Sequence, residues 1–282
     1  MKIKGSDKNY VQNRRIIRHI VQILFIILFF SPTIGYPSIY YGTLISSSFL
    51  GIELSDPLAV LENIAAHKHF YPDLIISGFI VLSFFILIGG RFFCGWVCPY
   101  YLLSEIINKV RNYFAIYDIK ISSSFKYWFF ISVLILSFIL SLPIFEYFSP
   151  PGILLRTFFN GLGISIFIII SILLIEIFIS KRVWCKSICP IGALYSIAGK
   201  FSKLKININK NICTNCIKCH NECIDSNMLQ NITENAKGLE KNKIKKFDIE
   251  SVKSGECTYC FQCYDVCPKK AISFGWIKAN KN

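Results

Sequence analysis

Four long apolar stretches dominate the hydrophobic pattern of the chain. They cover residues 19–41, 74–90, 127–145 and 157–180, and polar segments separate them. The fourth stretch contains a single charged residue, Glu176. A helix needs about 20 apolar residues to cross a hydrocarbon core about 30 Å thick, and the stretches approach that length. The pattern therefore predicts a mainly α-helical domain with four transmembrane helices.

Basic residues are distributed unevenly around these stretches. Of the 31 Lys and Arg residues, only Lys68 and Arg156 lie in the segments that follow the first and third stretches. Because the cytoplasmic side of a membrane protein carries the basic loops, both termini are predicted to be cytoplasmic, in a bacterial inner membrane. The chain is 53% hydrophobic and 17% charged, with a net charge of +14. In so apolar a chain, a basic excess indicates membrane orientation rather than nucleic-acid binding.

The apolar region repeats itself. Each copy consists of two predicted helices, a C-x-x-x-C-P motif and an amphipathic stretch with helical spacing. The four motif cysteines are Cys94, Cys98, Cys185 and Cys189. Proline favours the first turn of a helix and keeps the preceding residue out of the α conformation, so a break is predicted before Pro99 and before Pro190. Four thiols brought together could bind an iron–sulfur cluster or zinc, or act as redox thiols; the alternative is that they are buried and inert.

The strongest chemical signal lies in the polar C-terminal part of the chain. Two cysteine runs there share the spacing C-x-x-C-x-x-C-x-x-x-C, which is typical of bacterial ferredoxins with two [4Fe–4S] clusters. In that arrangement the fourth cysteine of each run binds the other cluster. The predicted ligands are Cys213, Cys216, Cys219 and Cys267 for one cluster, and Cys257, Cys260, Cys263 and Cys223 for the other. The chain is therefore predicted to comprise a membrane domain (1–204) and a cytoplasmic α+β ferredoxin-like domain (205–282).

Three other interpretations of the cysteine runs are zinc ribbons, disulfides and haem attachment. Zinc ribbons use paired C-x-x-C motifs, but not this longer spacing twice. Disulfides belong to oxidising compartments, whereas the charge pattern predicts the reducing side. The segment from Cys216 to His220 matches the C-x-x-C-H pattern for haem attachment, but both of its cysteines are already part of the iron–sulfur spacing.

Taken together, these motifs resemble the NapH family. The resemblance covers essentially the whole chain and includes the four apolar stretches, both C-x-x-x-C-P motifs and the two-cluster tail. It also includes the stretch from Ser46 to Leu58 and the segment from Ser149 to Arg156. NapH is the quinol dehydrogenase component that serves periplasmic nitrate reductase, and similar proteins serve nitrous oxide reductase.

The resemblance implies that the protein oxidises menaquinol or ubiquinol. Electrons would then pass to an exported iron–sulfur partner similar to NapG, and from there to c-type cytochromes and the terminal reductase. A quinol site needs an apolar slot and proton acceptors. Glu176 is a candidate because an acid inside an apolar stretch is costly to bury, although a pairing with a nearby lysine is an equal alternative. His67 and His69 are further candidates, since they follow a predicted helix that starts at Asp56-Pro57.

Two other classes of function remain open at this point. In one, the chain is an accessory or assembly factor that delivers cytoplasmic electrons to a metal or thiol during maturation of a respiratory enzyme. In the other, it anchors a partner and its clusters are structural, so that the four motif cysteines could be replaced without loss of function.

Overall fold

The computed structural model describes residues 5–30, 40–42, 46–49, 52–114, 118–119, 121–160, 163, 165–229, 249–251 and 255–276. The chain is mainly helical and divides into two compact units. We call Met1–Ile20, Phe85–Trp96 and Tyr195–Asn282 the cysteine-rich unit. We call Val21–Phe84 and Val97–Leu194 the helical unit.

Helices and strands follow one another in this order up to the second motif. The elements are α1 (Gly5–Phe30), β1 (Tyr40–Gly42), β2 (Ser46–Phe49), β3 (Ile52–Ser55), α2 (Pro57–His67), α3 (Pro72–Ile88), α4 (Phe92–Trp96), α5 (Pro99–Tyr113), α6 (Phe125–Leu140), α7 (Ile144–Phe148), α8 (Pro150–Asn160) and α9 (Ser165–Phe178). From the second motif onward they are a short π-helix (Trp184–Ile188), α10 (Pro190–Lys200), β4 (Leu204–Asn209), α11 (Lys218–Glu222), β5 (Ile249–Ser251), α12 (Gln262–Asp265) and β6 (Ile272–Trp276).

Proline begins several of these helices. Pro57, Pro99 and Pro190 are the first residues of α2, α5 and α10, as the sequence predicts. Cys189 precedes Pro190 with φ −61° and ψ 115°, which is an extended conformation. The predicted break between the second motif and the following helix is therefore confirmed, and it follows from the steric effect of proline on its neighbour.

The helices that overlap the second, third and fourth predicted spans are short. They are α3, α6 and α9, with 17, 16 and 14 residues. At 1.5 Å per residue the longest of them extends about 26 Å, less than a hydrocarbon core of about 30 Å. Helix α1 has 26 residues, but its first 14 residues include Arg14, Arg15 and Arg18. Residues 31–39 of the first predicted span lie outside the described residues.

Across the described part of the chain, no helix combines the length and the apolarity that a membrane crossing requires. The predicted domain of four transmembrane helices is therefore wrong, and so is the predicted multi-pass location in the inner membrane with cytoplasmic termini. The physical reason is that hydropathy counts apolar residues without seeing where a helix ends.

The cysteine-rich unit is built on a small antiparallel sheet. Strand β4 lies in the centre, between β5 and β6, with Leu204 opposite Trp276 and Asn209 opposite Ile249. Ile206 and Ile208 of β4 are each 2% exposed. They pack in a core that also contains Leu229, Tyr259 and Ile272 and three of the cysteines, Cys223, Cys257 and Cys263. The sheet and the cysteine runs therefore share one core.

The helical unit contains a buried acid that the sequence analysis did not select. Glu62 of α2 is 1% exposed and lies where α2 packs against α6. Its Oε1 atom accepts hydrogen bonds from the backbone N–H of Phe145 at 3.0 Å and from Ser137 Oγ at 3.3 Å. Burial raises the pKa of Glu62 above its ordinary value of 4.5, although these hydrogen bonds partly offset the effect.

The raised pKa predicts how stability depends on pH. The fold favours protonated Glu62, so its contribution to the free energy of unfolding is fully present below pH 4.5 and is lost as the pH rises through the raised pKa. Glu62→Gln keeps an acceptor oxygen but cannot ionise. We expect the melting temperature of the wild type, relative to that of this variant, to fall as the pH rises from 4.5 toward 7. Thermal unfolding across this range measures the difference.

Asp73→Asn is the control, because Asp73 is exposed at the start of α3. It should leave the slope of melting temperature against pH unchanged. A difference between the wild type and Glu62→Gln that stays constant with pH would contradict the assignment.

Candidate iron–sulfur site

The two cysteine runs have the same backbone conformation. Asn215 and Ile217 in the first run have φ of 51° and 61°, and Tyr259 and Phe261 at the equivalent positions of the second have φ of 51° and 60°. Left-handed residues that alternate with ordinary ones turn successive N–H groups toward one side, and such concavities bind anions, including many iron–sulfur clusters. No glycine marks these positions, so single-residue preferences could not have revealed them.

The first thiol set consists of Cys213, Cys216, Cys219 and Cys267. All four cysteines line one cavity, although Cys267 belongs to the second run. Burial is the main cause that raises the pKa of Cys219 to about 11, and the neighbouring thiols of Cys213, Cys267 and Cys216 contribute to the same rise. The set therefore gathers the four residues predicted for one cluster.

The second thiol set consists of Cys223, Cys257, Cys260 and Cys263. Burial raises the pKa of Cys223 and Cys263 well above its ordinary value of 9.0, and the other thiols of the set reinforce the shift. Burial is also the main cause that raises the pKa of Cys257 to about 12, although the positive charges of Arg91 and Lys205 act to lower it. Cys219 of the first set packs against the core that contains Cys263, and the helices α11 and α12 that hold these two residues are in contact, so the two sets adjoin.

The residues present fit an iron–sulfur cluster in each set. Backbone N–H groups of Tyr259 and Ala271 donate to the sulfur atoms of Cys257 and Cys267 at 3.3 Å and 3.4 Å, and N–H···S bonds of this kind tune cluster potentials. Within the described ranges, no three His, Cys, Asp or Glu side chains converge on a single metal ion.

Side chains from distant parts of the chain hold the second run in place. Arg91 pairs with Glu256, the residue before Cys257, at 2.8 Å, and Ser196 Oγ donates to the same carboxylate at 2.6 Å. Arg18 donates to the carbonyl of Cys260 at 3.2 Å, and Trp96 Nε1 donates to the carbonyl of Tyr259 at 3.0 Å. Glu256 carries no local sequence signal, because its partners Arg91 and Ser196 are distant in the chain.

The C-x-x-x-C-P cysteines are divided between the two units. Cys94 lies in α4 of the cysteine-rich unit, whereas the other three belong to the helical unit. Cys185 is buried in the π-helix, and Cys189 Sγ accepts the backbone N–H of Gly192 at 3.4 Å. Tyr100 lies close enough to Cys98 and Cys185 for their charges to affect it, although burial is the main cause of its raised pKa. The predicted convergence of all four thiols stays a prediction.

The quinol-site candidates all belong to the helical unit, in different surroundings. Glu176 of α9 is 1% exposed, and its Oε2 atom accepts a hydrogen bond from Ser104 Oγ of α5 at 2.7 Å. Burial raises the pKa of Glu176, and the nearby Ser104, Tyr100 and Arg182 partly offset this. His67 and His69 are exposed at and beyond the end of α2.

The membership of the thiol sets can be tested by pairs of substitutions. Cys213→Ser with Cys267→Ser removes two ligands from one predicted cluster, so the double variant should lose about four irons, as each single variant does. Cys213→Ser with Cys223→Ser removes one ligand from each cluster and should lose about eight irons. Iron analysis of anaerobically purified chains gives the counts. The reverse pattern would mean that each run binds its own cluster.

The sequence was compared with families of known proteins. A family model described as a 4Fe-4S binding domain matches residues 73–115 and 162–209. These two segments are the two copies of the internal repeat, each with its C-x-x-x-C-P motif. No solved structure matches the chain.

Curated relatives match much more of the chain. The ferredoxin-type protein NapH of Haemophilus influenzae is 31% identical over 239 residues, which are 83% of this chain and 78% of the relative. The methylamine utilization ferredoxin-type protein MauN of Paracoccus denitrificans is 28% identical over 76% of this chain and 77% of its own. The NapH protein of Escherichia coli is 25% identical over 95% of this chain and 91% of its own. The chain therefore belongs to the NapH family of ferredoxin-type electron-transfer proteins.

Proposed function

We propose that this ferredoxin-type protein takes electrons from menaquinol or ubiquinol and passes them on through two [4Fe–4S] clusters. The acceptor would be an exported iron–sulfur protein similar to NapG, which supplies c-type cytochromes and a periplasmic nitrate or nitrous oxide reductase. The observation that carries the proposal is that the two thiol sets adjoin: α11, which holds Cys219, packs against α12, which holds Cys263. Two adjoining one-electron centres suit a donor that gives up two electrons.

The residues of the chain have separable tasks in this proposal. The thiols of the first and second sets would hold the clusters, which accept and release single electrons when bound. The N–H groups on Cys257 and Cys267 would stabilise negative charge on sulfur. The pairing of Arg91 with Glu256 keeps the second run in position, so that its thiols face the core.

Glu176 is proposed to accept a proton that quinol oxidation releases. A carboxylate that is 1% exposed is costly to keep ionised, and burial raises its pKa, so protonation relieves that cost. His67 and His69 are exposed and are proposed as the proton acceptors nearer to solvent. The extra cluster or metal proposed at the four C-x-x-x-C-P cysteines agrees with the family model, which matches both motifs.

The direct test is reduction of the clusters by a quinol. The full chain is purified anaerobically, its iron content is measured, and a reduced menaquinone analogue is added. We expect EPR signals of reduced clusters that approach two per chain within seconds. Clusters that stay oxidised with the quinol, yet become reduced with dithionite, would contradict quinol oxidation and favour the accessory or assembly factor.

The same assay tests Glu176. Glu176→Gln keeps the size of the side chain and can still accept from Ser104, but it cannot take up a proton. We expect cluster reduction by quinol to slow by about tenfold or more, with the iron content unchanged. Glu146→Gln is the matched control, because Glu146 is partly exposed and pairs with Arg156 in the same unit. An unchanged rate in Glu176→Gln would remove this residue from the mechanism.

A further inference from the structure

An open groove lined by aromatic rings lies in the cysteine-rich unit. Its volume is about 430 Å³, within the range of about 300–1,000 Å³ that small-molecule sites occupy. The residues that line it are Ile17, Trp96, Phe261, Tyr264, Ser273 and Phe274. Four of the six are aromatic. The polar side-chain groups of this lining are the hydroxyls of Tyr264 and Ser273 and the indole N–H of Trp96, which donates to the carbonyl of Tyr259.

The rings contact one another at inclined angles and together form the wall of the groove. Phe261 and Phe274 lie closest, with centroids 4.3 Å apart and planes inclined by 57°. Trp96 stands nearly perpendicular to Phe261 at 6.1 Å, and Tyr264 lies 6.2 Å from Phe274. A further planar ring can pack on such walls by offset or edge contacts, which contribute beyond the burial of apolar area.

The wall of the groove is also the wall of the second thiol set. Phe261 follows Cys260 directly and has a left-handed backbone, and its side chain lines the groove. Tyr264 follows Cys263 in α12. Trp96 is fixed to the same loop through its hydrogen bond to the carbonyl of Tyr259. A ligand in the groove is therefore separated from the second thiol set by the side chains of a single loop.

We propose that this groove binds the planar ring of a quinol or quinone. The inference rests on the proposed function, because it names the site for the substrate of that function. The aromatic walls suit a flat, apolar ring. The hydroxyls of Tyr264 and Ser273 suit its two oxygen substituents, since a hydroxyl can donate to a quinone carbonyl and accept from a quinol. The proposal concerns binding of the ring alone, and binding transfers neither a proton nor an electron.

The test uses menadione, a naphthoquinone ring without a tail, and the full iron-loaded chain. Binding is measured by calorimetry and by quenching of tryptophan fluorescence. Ser273→Phe places a side chain in the groove from an exposed position on β6, without removing any core residue. We expect it to weaken menadione binding by about tenfold or more. Lys203→Phe, at an exposed position before β4, adds the same ring outside the groove and should bind as the wild type does.

Two further variants keep the result decisive. Trp96→Phe should remove most of the quenching, because the other three tryptophans lie outside the lining. If Ser273→Phe does not retain its iron, Tyr264→Leu takes its place, since it removes one wall ring and one hydroxyl and should also weaken binding by about tenfold. Equal affinity in the wild type and in the groove variant would overturn the site.

Failure of the site and failure of the proposed function give different results. If quinol reduces the clusters of the wild type but the groove variant binds menadione normally, the groove is wrong and quinol oxidation stands. If the groove variant loses menadione binding while quinol leaves the wild-type clusters oxidised, the ring site stands and quinol oxidation is wrong. If the groove variant binds menadione normally but loses reduction of a protein partner, the groove is a docking site for that partner, and the ring proposal is overturned.

Discussion

The buried ion pair between Arg91 and Glu256 is the constraint on which the cysteine-rich unit depends. Arg91 is 1% exposed, and it reaches the residue that immediately precedes Cys257. Loss of one partner from a buried pair typically costs about 3–5 kcal/mol, because a charge is left without compensation. Ser196 donates to the same carboxylate, and a Cβ at Gly255 would overlap the backbone of Ser196. The start of the second run is therefore held by charge, hydrogen bonding and close backbone approach together.

This anchoring explains how one small unit can present two thiol sets and an aromatic groove. Once the second run is fixed, its left-handed residues direct the N–H groups toward the thiols and the ring of Phe261 toward the groove. The strand pairing of β4 with β6 brings the segment after Cys267 alongside the core residues Ile206 and Ile208. The loop of the second run therefore has cysteines in the core on one side and the side chains of Phe261 and Tyr264 in the groove on the other.

Short-range sequence patterns predicted those features that depend on residues close together in the chain. Proline placed the starts of α2, α5 and α10, and cysteine spacing selected the residues that the two thiol sets bring together. Hydropathy failed for the apolar stretches because it does not detect helix ends. Helix α3 stops before Gly89 and Gly90, which have φ of 154° and 62°, and α6 stops at Ser141 with φ 54°. Glu62 and Glu256 were missed because their partners lie 60 or more residues away in the sequence.

The central claim is that the two thiol sets hold two [4Fe–4S] clusters next to each other. The most direct measurement is the EPR spectrum of the full, iron-loaded chain after complete reduction with a low-potential reductant. The account predicts about two spins per chain and a spectrum broadened by magnetic interaction between neighbouring clusters. A single spin per chain, or a spectrum equal to the sum of two isolated clusters, would contradict it.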